Sequence, residues 1–401
     1  MSTVTTRSEE STAQPLVQTT PSAMPTLYLS LEVGTTWKLA FTPGLGQRPR
    51  VRGIAACALD RLDHEIASAK RRFALPAAAR VVSCYEAGRD GFWLHRALVA
   101  RGIENRVVDS SSIEVNRRAR RVKDDGPDAE KLVLMLVRFA EGDRRVWKVV
   151  TVPTAADEDR RTLNRELDAL TRDRTAFVNR LHGLLATQGV RLELTGDVPA
   201  KLTAARRWDG TPLPAELDAR LRREWTSVVH LTARIDGLKA ERRRRLQAAL
   251  DGVAEGEASE PSEARAAEYL RRLYALRGIG DTGAWTYVRE FFGWREFRNR
   301  RQVGGLAGLT PTSYSSGASR RELGVSKAGN RYIRYLAVEL AWIWVRYQPQ
   351  SAVSRWYLDR FGHGSSRLRR IGIVALARKL LIALWRYLET GVVPEGAILK
   401  V

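Results

Sequence analysis

Two short β-rich runs lie either side of Gly34-Thr35 in the segment TLYLSLEVGTTWKLAF, residues 26 to 41, and predict a hairpin. A third run, from Arg50 to about Ala58, completes a meander. Leu59 to Phe73 then has helical periodicity and is closed by Pro76. Arg80 to Tyr85 (RVVSCY) is a compact strand that stops just before Glu86. Gly91 to Arg101 reads as a helix stopped by Gly102, and Arg106 to Asp109 as another strand. A basic segment follows, Asn116 to Lys123 (NRRARRVK), and helical periodicity returns from Asp128 to Phe139. Strands first, then strands alternating with helices, indicate an α/β domain with a mixed sheet over residues 26–152.

Past Pro153 the period changes. Leu163, Leu167, Leu170, Phe177, Leu181 and Leu184 form a heptad seam with one polar gap at Arg174. Leu217, Leu221, Val228, Leu231, Ile235 and Leu238 repeat the theme beyond a Gly- and Pro-containing bend, Gly196 to Pro214. Residues 153–250 are therefore expected to be a helical coiled-coil region. Its seam serves equally a hairpin packed on its own chain and a coil that joins subunits. Residues 251–263 (DGVAEGEASEPSE) read as an acidic linker, and 264–401 as an all-α domain. Trp342, Trp344, Trp356 and Trp385 sit among its aliphatic residues, a spacing expected of core.

Composition then narrows the class. The 401 residues carry 67 Lys and Arg against 45 Asp and Glu, a formal net charge of +22. Nucleic acid is the usual partner of so basic a protein, because each neutralised phosphate releases counterions. A membrane surface fits less well, since the excess is spread along the chain and not gathered beside an apolar anchor. Ile371 to Trp385 is the most apolar C-terminal stretch, but Arg378 and Lys379 interrupt it and it is too short to span a bilayer. Two cysteines, Cys57 and Cys84, are too few for a disulfide framework and fit a reducing cytoplasm. The five histidines show no zinc-type spacing. Residues 1–25, rich in Ser, Thr and Pro, read as a disordered leader. A soluble cytoplasmic protein is expected.

Candidate chemistry falls in three places. Glu32 and Glu86 end predicted strands, and Asp125 and Asp128 stand three apart at a helix start. Four carboxylates at one sheet edge would repel unless cations held them, and a pair of Mg²⁺ ions is the natural occupant. The competing reading of each acid is a helix cap or dipole partner. The Gly278-Ile279-Gly280 turn between two helical runs resembles a helix-hairpin-helix element, which grips DNA backbone; a plain glycine turn is the alternative. Gly305 to Arg331 is dense in Ser, Gly, Arg and Lys and suits a loop that receives a phosphate. Ser315, Ser316, Ser319 and Ser326 are its possible nucleophiles, and composition alone does not choose among them. Arg320, Lys327 and Arg331 are its expected contacts to nucleic acid.

The order of Glu32, Tyr85-Glu-Ala-Gly88 and Lys123-Asp-Asp-Gly-Pro-Asp-Ala129 resembles the DEDD transposases of the IS one-ten family. So does the run Leu276-Arg-Gly-Ile-Gly280, Gly308-Leu-Thr-Pro311, Ser315-Ser-Gly317 and Ser326-Lys-Ala-Gly-Asn-Arg331. The resemblance covers nearly the whole chain past residue 26, and Ser83-Cys-Tyr-Glu-Ala-Gly-Arg-Asp-Gly-Phe-Trp-Leu94 looks closest to the IS one-one-one-one subgroup. It implies a RuvC-like RNase H fold at the N-terminus, a coiled-coil insertion, and a C-terminal transposase domain bearing a serine nucleophile. Its carboxylates map to Glu32, Glu86, Asp125 and Asp128, and its serine to Ser316, with Ser315 the competitor. It also implies a structured non-coding RNA bridging element and target DNA, an oligomer (dimer or tetramer), and association with the bacterial nucleoid. The first acid departs from the family pattern: Glu32 stands where Asp is usual. Two other readings fit the charge, a Holliday-junction-type nuclease using metal-activated water and a non-catalytic nucleic-acid-binding protein.

Overall fold

The computed structural model describes residues 24–88, 91–113, 125–252, 261–316 and 319–400, with backbone alone at 125–128 and 313–323. Most of the expected leader, the basic run Asn116–Lys123, Asp124 and residues 253–260 of the expected linker lie outside the described residues. The chain forms two compact units, Met1–Val152 and Pro153–Val401.

The first unit is built on five strands: β1 (Thr26–Glu32), β2 (Thr36–Thr42), β3 (Arg50–Ala55), β4 (Arg80–Glu86) and β5 (Glu104–Val108). They lie in the order β3-β2-β1-β4-β5. β1 pairs antiparallel with β2 and parallel with β4, so the meander passes into a parallel half at the sheet centre. Three helices, α1 (Leu59–Arg72), α2 (Trp93–Ala100) and α3 (Asp125–Ala140), flank the sheet.

The period-2 alternation of β1 sorts its side chains between two cores. Leu27, Leu29 and Leu31 share one with Leu62 and Ile66 of α1 and Leu94 and Leu98 of α2. On the other face, Val82 and Cys84 of β4 pack with Leu132, Met135 and Leu136 of α3, and Ala40 packs with Ala129 and Val133. Leu27, Leu29 and Leu31 have no exposed surface, and burying such a side chain contributes about 1.5–3 kcal/mol. The strands and helices stand where the sequence pattern puts them, within a few residues at each end.

The second unit is largely helical. α4 (Ala155–Asp159) leads into α5 (Thr162–Ala186), α6 (Val198–Ala204) and α7 (Ala215–Leu250). α5 and α7 run antiparallel: Arg180 pairs with Glu224 at 2.7 Å, and Arg234 with Glu166 at 2.9 Å. Most of both heptad seams is buried where these helices meet, with α6 joining one cluster and Leu163 packing on the C-terminal core. Leu167, Leu170 and Ile235 form one buried cluster, and Leu181, Leu185, Leu221 and Val228 belong to another. Within the chain, then, α5 and α7 pack together as a helical hairpin.

α8 (Pro261–Ala275), α9 (Asp281–Tyr287), α10 (Arg300–Leu306), α11 (Arg331–Tyr347), α12 (Ala352–Tyr357) and α13 (Ser366–Thr390) surround a core that includes Trp285, Phe291, Trp344, Leu376 and Leu380. Of the four tryptophans expected in it, Trp344 is fully buried and Trp356 and Trp385 are partly so, whereas Trp342 is exposed.

The expectation of an all-α C-terminal region is corrected by a two-stranded antiparallel hairpin, β6 (Pro311–Ser316) and β7 (Ser319–Val325). The dense serines and glycines read as loop and hid two strand signals. Gly317-Ala318, a Gly-X pair between the strands, is a hairpin signature, and Thr312, Tyr314, Leu323 and Val325 suit strands. Among the described residues, no helix is long and apolar enough to cross a membrane.

Candidate active site

Glu32 and Glu86 are the last residues of β1 and β4, which are adjacent and parallel. Their register pairs Ser30 with Cys84 and Leu31 with Tyr85, so Glu32 and Glu86 fall at the same level of the same sheet edge. The face follows from parity. Ser30 donates its hydroxyl to the Ala129 carbonyl at 2.6 Å, and the Cys84 thiol lies 3.9 Å from the Leu132 carbonyl. Ser30 and Cys84 therefore face α3, and residues two further along each strand, Glu32 and Glu86, belong to that same face.

The helix direction completes the arrangement. Ala129 sits beside Ser30, so the turn before it, Asp125 to Asp128, begins toward the carboxyl ends of β1 and β4. This is the edge at which open α/β sheets place ligands. The structure thus brings Glu32, Glu86 and the backbone of Asp125 and Asp128 to one end of one face; the side chains of the two aspartates lie outside the described residues. Glu32 is half-buried and Glu86 exposed. Burial pushes the Cys84 thiol well above its ordinary value, and the nearby Glu86 charge adds to that, so Cys84 is a packing residue here.

Sequence reasoning passed over Lys38. It is the antiparallel register partner of Glu32 on β2, which places a cation beside the acids at the same edge. The Gly34-Thr35 turn read from the sequence would set Trp37 opposite Glu32; the observed register is centred on Thr35, one residue further along β2, and brings Lys38 there instead. His95 is in a different position. Its Nδ1 lies 2.9 Å from Asn105 Nδ2, and Asn105 Oδ1 accepts the Ser83 hydroxyl at 2.8 Å. The ring ties α2 to β4 and β5, and burial, with Arg96 and Arg106 nearby, lowers its pKa.

In the helical unit, Ser316 is the last residue of β6 and pairs with Ser319 across the hairpin, while Ser315 pairs with Arg320. The side chains of these four lie outside the described residues. The feet of the hairpin are described fully. Ser326 N–H donates to the Thr310 carbonyl at 2.8 Å, Lys327 N–H to Gly308 at 3.2 Å, and Asn330 N–H to Leu306 at 2.7 Å. Gly308 (φ +67) and Gly329 (φ +106) permit that crossing, because a Cβ on the first would strike the Ala328 carbonyl and on the second the Leu306 carbonyl. Lys327 itself is left-handed at φ 56, and the Arg334 guanidinium donates to its carbonyl at 2.8 Å.

The Asn330 side chain caps α11, accepting from Tyr332 N–H at 3.0 Å and Ile333 N–H at 3.1 Å. Lys327 and Arg331 are exposed on either side of this capped crossing. Beside it lies a polar cavity of about 280 Å³, with Asn164, Arg165, Glu290 and Tyr332 among its lining residues. Glu290 is buried and receives two bonds from Arg165, each 3.2 Å. Asn164, also buried, accepts the Thr286 hydroxyl at 3.2 Å.

The glycine turn after α8 is held rather than loose. Gly278 has φ +91, and a Cβ there would approach Tyr347 Cβ to 3.3 Å. Gln348 Nε2 donates to the Arg277 carbonyl at 2.8 Å, and the Lys400 ammonium to the Ile279 carbonyl at 2.7 Å. Packing alone therefore accounts for Gly278. Gly280, at the start of α9, has open space where a Cβ would stand.

Comparison with known proteins places this helical unit in a family. A family model described as "Transposase IS116/IS110/IS902 family" matches residues 270–356, which include the serine hairpin. A Sinorhizobium fredii protein, y4rJ, whose name describes it as a transposase, is 40% identical over 386 residues, covering 93% of this chain and 94% of its own length. A Pseudomonas aeruginosa protein named as a family 20 transposase is 30% identical over 271 residues, 67% of this chain and 72% of that one. The transposase for insertion sequence element IS1111A of Coxiella burnetii is 23% identical over 244 residues, 61% of this chain and 60% of its own.

Proposed function

The chain belongs to the IS116/IS110/IS902 family of transposases, and on that premise we propose that it cuts and rejoins DNA with two half-sites, one on each unit. The first is a RuvC-like, RNase H-type carboxylate site of Glu32, Glu86, Asp125 and Asp128. The second is the nucleophile Ser316. The observation that carries the reading is the register of β1 and β4, which sets Glu32 level with Glu86 on the face where α3 begins. The mixed sheet order β3-β2-β1-β4-β5 is that expected of the RNase H-like fold.

Carboxylate oxygens are the donor set that Mg²⁺ prefers, so the four acids fit a pair of such ions. When bound, the ions would supply positive charge to the oxygens of a phosphodiester under attack. The protein's own part is positional. Strand ends hold Glu32 and Glu86 while the start of α3 brings the two aspartates, and Lys38 opposes Glu32 with a cation that limits repulsion among the acids.

In the proposed chemistry the Ser316 hydroxyl oxygen bonds to phosphorus as its proton leaves, and the bond from phosphorus to the departing oxygen breaks. The departing strand takes a proton as a free 3′ hydroxyl. The phosphoserine link conserves the bond energy, so attack by another 3′ hydroxyl rejoins DNA and returns the serine. Lys327, Arg320 and Arg331 are assigned to the phosphates around the hairpin, and Gly280 to backbone contact at a helix-hairpin-helix turn. A structured RNA of the element is assigned the choice of sequence, by base pairing, leaving the protein to read shape and backbone.

The test is a trapping assay on the full chain with the element's RNA, a junction DNA and Mg²⁺, read as protein-linked DNA on a denaturing gel. An adduct lost in Ser316→Ala and in Asp125→Ala, but kept in Ser315→Ala, supports the reading. Cleavage without an adduct, unaffected by the serine change, would replace it with hydrolysis by water at the carboxylates alone.

A further inference from the structure

Helix α13 leaves the core abruptly. From Gly372 onward it is built into the helical unit, with Ile373, Leu376, Ala377 and Leu380 almost wholly buried. The seven residues before that point, Ser365 to Ile371, are all exposed although six of them are helical. The reason lies at Gly372, where a Cβ would strike the Phe361 ring. Phe361, in the turn Leu358–Gly362, packs on the bare helix backbone there and leaves the preceding turn and a half standing clear of the core.

The projecting piece is held in shape. The Ser365 hydroxyl caps the helix by accepting from Leu368 N–H at 3.3 Å, and the Tyr357 hydroxyl donates to the Arg369 carbonyl at 3.4 Å. Its side chains are of two kinds. Arg367, Arg369 and Arg370, with Arg360 in the turn beside them, have no carboxylate within ion-pair distance among the described residues. Leu368 and Ile371 expose 40% and 54% of their surface. The family model's match ends at residue 356, before this element, whereas the y4rJ relative, which covers 93% of the chain, spans it.

We propose that this projecting start of α13 is a duplex-DNA docking element that enters the major groove. Arg360, Arg367, Arg369 and Arg370 take phosphates along its rims, and Leu368 and Ile371 lie against the apolar edges of bases. Four cations without anionic partners in so short a stretch fit a polyanion better than a neutral protein surface. Shape selects the kind of polyanion. Six helical residues rise about 9 Å, close to the roughly 8.5 Å depth of the B-form major groove, and that groove is wide enough for a helix. The A-form major groove is too narrow to receive one. The inference rests on the reading that the chain works on DNA, and it adds a second contact surface away from the serine hairpin in sequence.

The test uses the full chain with a fluorescent 30-base-pair DNA duplex, an RNA duplex of the same sequence, and anionic phosphatidylserine vesicles, each titrated with salt. In R367A/R369A/R370A the expected result is DNA binding weakened by 10² or more at low salt, and a salt slope shallower by about three, one unit per lost phosphate contact. R367K/R369K/R370K keeps the slope, Ile371→Ser weakens DNA binding with the slope unchanged, and the melting temperature stays put in all three. An alanine variant with unaltered DNA affinity and slope overturns the proposal. So does a loss confined to the RNA duplex or to the vesicles. Wild-type protein that binds no DNA would instead count against the functional reading as a whole.

Discussion

In the sheet unit the candidate acids are placed by regular structure: two parallel strands end together, and a helix held over them by Ser30 and Ala129 begins at the same edge. In the helical unit the candidate serine ends a two-stranded hairpin whose feet depend on irregular backbone. There Gly308 and Gly329 let one segment pass another at contact distance, and left-handed Lys327 turns the chain into α11. Periodic elements position a group through many interchangeable side chains, whereas a backbone crossing does so through a few residues with no substitute. The sheet half should therefore tolerate change around its acids but not at them, and the serine half should be fragile at its glycines as well.

The largest effect should come from the acids and the nucleophile themselves. Glu86→Gln and Ser316→Ala are each expected to lower strand transfer about 10³-fold or more, with melting temperatures close to wild type. Retained transfer in Glu86→Gln would confine the chemistry to the helical unit and end the comparison. Next in size is Gly329→Ala. With φ +106 and the Leu306 carbonyl in the way, it should cost about 3 kcal/mol by urea unfolding and reduce transfer with it.

Glu290→Gln should follow. The carboxylate is only 3% exposed and faces Arg165, but the arginine reaches solvent, so the expected cost is about 2 kcal/mol rather than that of a wholly buried pair. Glu32→Asp should leave stability unchanged and shift the Mg²⁺ concentration for half-maximal cleavage by about tenfold, since a methylene alters reach and not charge. The smallest effect is Gly280→Ala. Its stability should stay within about 0.5 kcal/mol, because nothing would meet the new methyl, while duplex binding weakens a few-fold.

The same contrast explains what could be seen in advance. Alternation in β1, the short apolar run of β4 and the helical period in α1 and α3 are local properties, so the sheet, its order of elements and the strand-end position of Glu32 and Glu86 were legible. Lys38 was missed because the expected turn at Gly34-Thr35 lies half a residue from the true centre, and a one-residue slip in register exchanges Trp37 for Lys38 opposite Glu32. The serine hairpin was obscured rather than absent: its serines and glycines carry the composition of a loop over the Gly317-Ala318 signature, and its anchoring partners, Gly308 and Gly329, are neighbours only after folding. The buried Arg165–Glu290 pair was hidden for a like reason: residues 125 apart meet there, with no local pattern to announce them. Heptads in α5 and α7 showed an apolar seam but not its partner, which proved to be the other helix of the same chain.

That self-closed arm has a consequence for how such a protein can change over time. α5 has 25 residues and α7 has 36, spans of about 37 Å and 54 Å at 1.5 Å per residue. Because each helix is the other's partner, matched insertions of seven residues in both would lengthen the arm by about 10 Å while every layer of its seam stays in phase. An unmatched insertion in one helix would throw the seam out of step from that point to the tip. The arm is thus a part whose length can drift only in paired, quantised steps, and length differences between homologues in this region should come in such pairs.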